Sequence, residues 1–557
     1  MMDSPYCFPI SKDELVLRLR VKKGDAKEVS VLYESKYVIG SKHKSAVMRK
    51  AYSGELFDYY EICLKLKDTR LAYVFYINDG KECFYFSEDG LSEEYDFKLG
   101  YYNFFQYPYI NEADIVKPVE WMKTAVFYQI FVERFDIGDK KKDLSYVTMN
   151  WGDIPTPKSF AGGDLKGITK RLSYIKGLGV DSIYLTPVFE SISNHKYDIS
   201  DYYNVAGQFG TNDDLKELVD EAHKKGMHIV LDAVFNHCSD RMMQFEDVKR
   251  NGKKSPYFDW FIIHGDRIDE SKCNYETFAS CKYMPKLNTS NEEVRKFLID
   301  IALYYISEYK IDGWRLDVSD EISFDFWREF RKAVKNANPD AVIIGENWHD
   351  AYANLRGDQY DSIMNYAFTK LCLDYFARKT KNAKEASEKL NELLIRNKAG
   401  VNEMMLNLLD SHDTLRFFTE VNEDRDIMKC ALALLFFYMG TPCIFYGTEI
   451  LTVGKYDPDC RRCMDWDRAL KKKDTEDIVN LLNKLAKIKR KKDFSKENIF
   501  ISEKDGCLFL ERESKKAKYA LYINMQSVEA GPDNYRIMPK HFIITKDGEL
   551  IDYEKDI

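Results

Sequence analysis

Short hydrophobic runs alternate with amphipathic segments from about residue 124 onward, and eight such runs follow one another along the chain. The runs have the length and the β-branched and aromatic content of strands, and the segments between them repeat their apolar residues at helical spacing. One predicted helix begins with the capping candidate Thr211 and ends near Gly226. Because strands that alternate with helices form parallel sheets, the pattern predicts an α/β fold, a (β/α)8 TIM barrel. Its strands are expected in TAVFYQIF, DSIYLTPVF, HIVLDAVFNH, IDGWRLDV, AVIIGENW, YDSIMNY, EMMLNLLDSH and TPCIFYGTE.

One interval interrupts this alternation. Between His237 and Asn291 the chain has no long periodic helix, although the connections inside a barrel are usually short. Long insertions after a barrel strand commonly carry function. We therefore predict an inserted subdomain at about residues 238–290, after the third strand of a barrel that spans residues 119–480.

The regions on either side of the barrel have a different pattern. Residues 1–118 contain short β-like runs such as ELVLRLRVKK and LAYVFYIND, separated by turn residues, which predict an N-terminal β-sandwich. Residues 481–557 begin with the end of a helix and then alternate again, as in GCLFLERE, which predicts a small C-terminal β domain. A chain of 557 residues is long enough for several cores.

Charge and composition narrow the classes of partner. The chain has 83 basic and 91 acidic residues, for a net charge of −8, and no basic stripe, which argues against nucleic acid and anionic membranes. Its longest apolar run is interrupted by Gly440 and Pro442, and no secretory signal is evident. Twelve scattered cysteines suit reduced thiols. Cys460 and Cys463 have the spacing of a redox or zinc motif, but no second pair completes it. We therefore expect a cytoplasmic protein.

Ionisable residues follow several of the predicted strands. In GWRLDVSDE, Arg315 and Asp317 share one face of a strand, whereas Trp314 lies on the other. Catalytic groups of such barrels lie at the C-terminal ends of the strands. A purely structural explanation would need several buried ion pairs in one ring, each with a desolvation cost. Two carboxyl groups with flanking cations suit acetal cleavage, in which one acid protonates the leaving oxygen and the other attacks. The residues concerned are Asp232, His237, Arg315, Asp317, Glu346, His412 and Asp413.

These segments also resemble a known family. DAVFNH, GWRLDVSDE, GENWHDA and LLDSHDTLRF are similar, in order and spacing, to the four signature segments of the alpha-amylase family, glycoside hydrolase family 13. MPKLN, SNHKYD and DPDCRRCMDWD resemble its neopullulanase, cyclomaltodextrinase and maltogenic amylase subgroup. The N-terminal sandwich would then resemble a carbohydrate-binding module, and the barrel would be the catalytic domain.

The resemblance implies roles for individual residues. Asp317 would be the nucleophile, Glu346 the general acid/base and Asp413 the stabiliser of the transition state. Arg315 would orient Asp317 and lower its pKa, because a nearby cation favours the ionised carboxylate. Packing remains the alternative explanation for the aromatic and histidine residues, above all Trp348. The implied substrate-binding residues are Arg315, His237, His412, Tyr197, His195, Asp232, Trp348, Asp457 and Arg461.

The implied activity is the retaining hydrolysis of α-1,4-glucosidic bonds in cyclodextrins and maltooligosaccharides, with pullulan and starch as further candidates and with transglycosylation as a side reaction. An α-glucosidase or 4-α-glucanotransferase of the same family is the first alternative, and a non-catalytic carbohydrate-binding protein is the second. The expected partners are α-glucan oligosaccharides or cyclodextrins, together with a second copy of the chain bound through the N-terminal domain.

The chemistry requires no cofactor, but related proteins often carry calcium in the loop after the first strand. Asp139, Asp143, Gly162 and Asp164 are the candidate ligands here. Two residues depart from the pattern, because Ile137 and Lys142 stand where the family usually has asparagines. Calcium needs six to eight oxygen ligands, so we expect weak or absent binding, with the Lys142 ammonium in the place of the ion.

Overall fold

A computed structural model describes residues 3–38, 43–471, 474–491, 494, 498–532 and 534–551. The N-terminal region forms two antiparallel sheets that pack face to face around Leu17, Val29 and Phe75. The first sheet has the order β1-β2-β6-β5, and in the second β4-β3-β7-β8-β9 is joined by β10, which pairs with β7. The strands are β1 Cys7–Pro9, β2 Glu14–Lys22, β3 Glu28–Ser35, β4 Lys44–Val47, β5 Arg49–Ser53, β6 Phe57–Lys65, β7 Leu71–Asn78, β8 Cys83–Ser87, β9 Gly90–Ser92 and β10 Phe105–Tyr107, and a short helix, α1, spans Gly100–Asn103.

The middle of the chain forms the predicted barrel of eight parallel strands. Neighbouring strands pair in the order β18-β17-β16-β15-β12-β11-β20-β19, and a parallel bridge between Met364 and Leu406 joins the two ends. Each predicted run contains one of these strands. They are β11 Phe127–Ile130, β12 Ser182–Leu185, β15 His228–Ala233, β16 Gly313–Leu316, β17 Val342–Gly345, β18 Ser362–Ile363, β19 Leu406–Leu408 and β20 Thr441–Phe445, and a hairpin of β13 Phe189–Glu190 and β14 Asp201–Val205 follows β12.

Helices cover the outside of the barrel with their apolar faces. Thr211 caps α3 through a reciprocal capping box with Asp214, as the sequence indicates. The helices are α2 Leu165–Gly177, α3 Asn212–Lys224, α4 Met243–Asn251, α5 Glu292–Tyr304, α6 Phe324–Ala337, α7 Tyr366–Cys372, α8 Ala383–Ile395, α9 Ala399–Asn402, α10 Phe417–Glu420, α11 Arg425–Phe437, α12 Trp466–Lys471 and α13 Glu476–Lys489. None of the helices in the described ranges has the length and apolar character needed to cross a membrane.

The insertion after β15 contains α4 and several short β-bridges rather than a second sheet. Rings of Phe245, Phe261 and Tyr275 pack together within it. One bridge pairs Lys286 with His237, in the loop that follows the third barrel strand. The insertion therefore lies against the C-terminal rim of the barrel, beside the residues that follow β15.

A five-stranded antiparallel sheet ends the chain. Its strands follow in sequence order as β21 Asn498–Lys504, β22 Cys507–Glu513, β23 Lys518–Asn524, β24 His541–Lys546 and β25 Glu549–Leu550. Helix α8 joins all three regions, because the Asn391 amide donates to Ser53 O of β5 at 3.0 Å and to Ile501 O of β21 at 3.1 Å. The twelve cysteines, which all fall in described ranges, are free thiols.

A buried carboxylate attaches α6 to the strand that leads to Glu346. Asp361 pairs with Arg331 at 2.8 Å and with Lys335 at 2.7 Å, and it accepts the Ile343 amide of β17 at 2.9 Å. We expect Asp361→Asn to lower the free energy of unfolding by about 3 kcal/mol, because it leaves two partly buried cations without their counter-charge. A fall in the thermal midpoint at pH 7 would show this.

Asp358→Asn is the matched control, because Asp358 pairs with Arg328 of the same helix but is half exposed to solvent. Exposed ion pairs contribute little to stability, so the thermal midpoint of Asp358→Asn should remain close to that of the unmodified chain. Equal midpoints for both variants would contradict this account of α6.

Candidate active site

The C-terminal end of the barrel gathers the ionisable residues that the sequence singled out. Asp232 is the last residue but one of β15, and Arg315 lies in β16. Asp317 directly follows β16, and Glu346 directly follows β17. The loop after β15 carries His237, and the loop after β19 carries His412 and Asp413. The turn between β13 and β14 carries His195 and Tyr197, and the chain after β20 carries Asp457 and Arg461. Alternation along β16 places Trp314 in the outer core with the helices and turns Arg315 inward.

Arg315 is the centre of this group and is only 1% exposed. Its Nη1 lies 3.0 Å from Asp232 Oδ1 and 2.8 Å from Asp317 Oδ1, and its Nη2 lies 2.8 Å from Glu346 Oε2. One guanidinium therefore faces three carboxyl groups, so the group would carry excess negative charge if all three were ionised. Such a cluster favours the retention of a proton.

The pKa values of two of these acids are raised. Burial raises the pKa of Asp317 well above its ordinary range, the nearby Glu346 and Asp232 raise it further, and Arg315 acts in the opposite direction. Burial also raises the pKa of Asp232 to about 6. Arg315 lowers the pKa of Asp317, as expected from the sequence, but desolvation outweighs this single cation and the net shift is upward.

A chain of hydrogen bonds runs across the floor of the site. Gln129 Nε2 donates to His412 Nδ1 at 2.7 Å, so His412 Nε2 carries the hydrogen and donates to Tyr197 Oη at 2.6 Å. Tyr197 then donates to Asp232 Oδ2 at 3.0 Å, and Tyr184 donates to the same oxygen at 2.6 Å. Neither Gln129 nor Tyr184 was singled out from the sequence, although a glutamine in the apolar strand FYQI was a usable signal.

Two of the histidines at the site, His237 and His412, are kept neutral by burial. Burial lowers the pKa of His237 to about 3 and that of His412 well below its ordinary range. His237 Nε2 lies 4.0 Å from Asp317 Oδ2, and the ring stacks on Phe278 of the insertion with centroids 4.7 Å apart. Phe278 was also missed, because its approach depends on how the insertion folds back over the barrel. Neutral imidazoles are suited to hydrogen bonds with uncharged hydroxyl groups.

Asp413 is held beside His412 and Arg461. Its Oδ1 lies 3.2 Å from Arg461 Nη2 and its Oδ2 lies 3.3 Å from His412 Nε2. Arg461 also pairs with Asp457 at 2.8 Å and donates to the main-chain carbonyl of His412 at 2.7 Å. His195 lies beside Tyr197, whose main-chain amide donates to His195 Nδ1 at 3.1 Å. These residues are thus brought to one rim of the site.

Glu346 is held by contacts to both of its oxygens. Val318 N donates to Oε2 at 3.0 Å, and Trp348 Nε1 donates to Oε1 at 3.1 Å. Val318 has φ 44°, a left-handed conformation that is strained for a β-branched residue. The Trp348 ring stacks on Tyr366 at 3.7 Å and is 53% exposed. One face is therefore packed, and the sequence did not reveal the bond to Glu346.

The four candidate calcium ligands do not form a ligand set. Asp139 pairs with Lys166 at 2.9 Å, and Asp143 accepts the Ser145 hydroxyl at 2.9 Å. Only the Gly162 carbonyl and the Asp164 carboxylate converge, and they converge on the Lys142 ammonium, at 2.7 and 3.0 Å. Calcium needs six to eight oxygen ligands around a position that no other cation occupies. These residues, with a cation already among them, do not fit the ion, and no group of metal-ligating side chains occurs elsewhere in the described ranges.

Comparisons with known proteins agree with this geometry. The family described as "Alpha amylase, catalytic domain" matches residues 129–499, and "Alpha amylase, N-terminal ig-like domain" matches residues 1–111. A cyclomaltodextrinase of Thermoanaerobacter pseudethanolicus is 44% identical over 89% of this chain and 86% of its own length. Neopullulanase 2 of Thermoactinomyces vulgaris is 43% identical over 87% of this chain and 84% of its own length.

Two further relatives extend the comparison. An "Intracellular maltogenic amylase" of Bacillus subtilis is 41% identical over 87% of this chain and 82% of its own length. A solved structure named "Cyclomaltodextrinase" is 38% identical and superposes with a TM-score of 0.89 over 94% of this chain and 90% of that one. With this fold, this site and these relatives, the chain belongs to the alpha-amylase family and is a glycoside hydrolase.

Proposed function

We propose that this hydrolase cleaves α-1,4-glucosidic bonds in cyclodextrins and maltooligosaccharides, with retention of the anomeric configuration. The observation that carries the proposal is the guanidinium of Arg315, which contacts Asp317 Oδ1 and Glu346 Oε2 at 2.8 Å each. Retaining enzymes place their two carboxyl groups closer together than inverting enzymes do. Two carboxyl groups held by one guanidinium support the closer arrangement.

The proposed reaction has two displacements. Because Arg315 occupies Oδ1 of Asp317, Oδ2 is the oxygen free to attack the anomeric carbon. A C–O bond forms to Asp317 as the glycosidic C–O bond breaks, and Glu346 gives its proton to the leaving oxygen. In the second step Glu346 takes a proton from water, which attacks the same carbon and releases the Asp317 carboxylate. Another sugar hydroxyl in place of water would give transglycosylation.

The remaining residues would bind the sugar. Tyr197 would lie beneath the ring at the cleavage position, and the neutral His237 and His412 would hydrogen-bond its hydroxyl groups, with His195 beside them. Asp413, with Arg461 and Asp457 behind it, would contact the sugar from the rim beside His412. The exposed face of Trp348 would receive the sugar beyond the scissile bond. The names of the cyclomaltodextrinase and neopullulanase relatives support this substrate class, and pullulan and starch are further candidates.

The activity is tested by incubating the protein with β-cyclodextrin, maltotriose, pullulan and starch and identifying the products. We expect maltooligosaccharides that appear first as the α-anomer by NMR. Asp317→Asn should reduce turnover by roughly 10⁴-fold or more with an unchanged thermal midpoint, whereas Asp325→Asn, an exposed carboxylate on α6, should leave turnover intact. Glucose released only from chain ends would indicate an α-glucosidase. Transfer products without hydrolysis products would indicate a glucanotransferase, and binding of the sugars without any product would indicate a carbohydrate-binding protein.

The raised pKa of Asp317 predicts the response to pH. Only the ionised carboxylate can attack, so kcat/KM should fall as the pH decreases through the apparent pKa of the cluster. Asp232→Asn removes one of the negative charges that raise the pKa of Asp317. We therefore expect the acid limb of the kcat/KM profile to move to lower pH by about one unit, even though the maximal rate decreases.

Asp312→Asn provides the control for this shift. Asp312 is a carboxylate directly before β16 but at the opposite end of the barrel, where it pairs with His223 and His228. The acid limb of the kcat/KM profile of Asp312→Asn should coincide with that of the unmodified enzyme. An acid limb that moves to higher pH in Asp232→Asn would contradict the assigned electrostatics.

We also propose a homodimer through the N-terminal domain and a cytoplasmic location. The location is supported by the free cysteines and by the Bacillus subtilis relative named as intracellular. Light scattering during size-exclusion chromatography should give twice the mass of one chain at micromolar concentration. A chain without residues 1–118 should elute as a monomer, and a monomeric full-length chain would contradict the dimer.

A further inference from the structure

A lysine ammonium lies where the connection between β11 and α2 meets the loop before α3. Lys142, in the connection between β11 and α2, has a side chain only 12% exposed. Its Nζ lies 2.7 Å from Gly162 O, 2.9 Å from Gln208 O and 3.0 Å from Asp164 Oδ2. An ammonium has three donors, so these three oxygens use all of them. The ammonium therefore joins the β11–α2 connection, the start of α2 and the loop before α3.

Gln208 also contacts a second lysine, Lys196. Its main-chain oxygen accepts from Lys142, and its side-chain Oε1 accepts from Lys196 Nζ. Lys196 is fully buried and also donates to Ser191 O at 2.8 Å. Burial lowers the pKa of Lys196 to about 8, so its ammonium remains charged in most molecules at neutral pH. The Lys196 ammonium is thus bonded both to its own loop, at Ser191, and to Gln208 of the loop before α3.

Lys196 lies between His195 and Tyr197 in the chain and has φ 64°, an unusual conformation for a residue with a Cβ. Its side chain points into the protein while its two neighbours face the sugar-binding site. The contacts that hold Lys196 therefore also determine where Tyr197 Oη meets His412 and Asp232. A release of Lys196 would allow the loop to relax from the strained conformation.

We propose that Lys142, Gln208 and Lys196, called here the two-lysine link, act as a built-in cation site that replaces a bound calcium ion and positions Tyr197 for substrate. Lys142 and Lys196 are positioning residues, since neither contacts the reacting atoms. The replacement of calcium by Lys142 concerns the loops alone, whereas the effect of Tyr197 on substrate rests on the proposed function. The same oxygens that would attract a metal ion are satisfied by an ammonium that belongs to the chain.

The first test is thermal unfolding of the full-length protein with EDTA or with millimolar CaCl₂. The unmodified chain should have the same midpoint in both. Lys142→Asn should lower the midpoint by roughly 3–6 °C in EDTA, and CaCl₂ should recover part of that loss, because an amide oxygen then joins Gly162 O, Gln208 O and Asp164 around a space without a cation. A midpoint of the unmodified chain that rises with calcium, or a Lys142→Asn variant that calcium leaves unchanged, would overturn the proposed replacement.

The second test separates positioning from stability. Gln208→Leu removes the acceptor of Lys196 but keeps the main-chain carbonyl that Lys142 uses. We expect about a tenfold lower kcat/KM for β-cyclodextrin, measured at least 15 °C below the midpoint, and recovery in Gln208→Glu, whose carboxylate can accept from Lys196 again. Normal kcat/KM in Gln208→Leu, or no recovery in Gln208→Glu, would overturn the positioning role.

Lys166→Ala is the matched control for both tests. Lys166 pairs with Asp139 in the same connection and with Asp214 of α3, but it is 44% exposed. Its midpoint and kcat/KM should match those of the unmodified chain. If the unmodified chain cleaved no glucan at all, the proposed function would fail, whereas the calcium and midpoint measurements would still decide the structural part of the proposal.

Discussion

The active site depends on the burial of one permanent positive charge, the Arg315 guanidinium, at the C-terminal end of the barrel. An arginine cannot lose its proton inside a protein, and a buried charge is costly unless it is paired. Asp232, Asp317 and Glu346 meet that requirement from three neighbouring strands. The barrel makes this convergence available because parallel strands bring their carboxyl ends to one rim.

The same pairing leaves the site with more acids than cations, and this imbalance has chemical consequences. Two acids have raised pKa values, which favours a shared proton near neutral pH. The surrounding imidazoles, in contrast, are kept neutral by burial. A site that holds one proton among carboxyl groups, and offers neutral donors to hydroxyl groups, is suited to protonate a leaving oxygen while a second carboxylate attacks carbon.

Buried cations also order the loops that surround the site. Irregular loops leave carbonyl oxygens that need partners, and arginine and lysine side chains supply them from inside the protein. Arg134 donates to the carbonyls of Arg461 and Ser159, and Arg416 donates to those of Cys460 and Tyr446. Lys142 and Lys196 do the same in neighbouring loops, at Gly162 O, Gln208 O and Ser191 O. The loops thereby have defined positions although they contain little regular structure.

The amino-acid sequence by itself determined the barrel, its flanking β domains and the residues at the strand ends, because strand and helix periodicity are local properties and strand order decides which ends meet. It did not reveal Phe278 against His237, Trp348 bonded to Glu346, or the outward turn of Asp139 and Asp143. It also did not reveal that burial outweighs Arg315 and raises the pKa of Asp317. These features depend on loop packing and on the depth of burial, which arise from residues far apart in the chain. Only the tertiary structure decides how much water a charge loses and which partner replaces it.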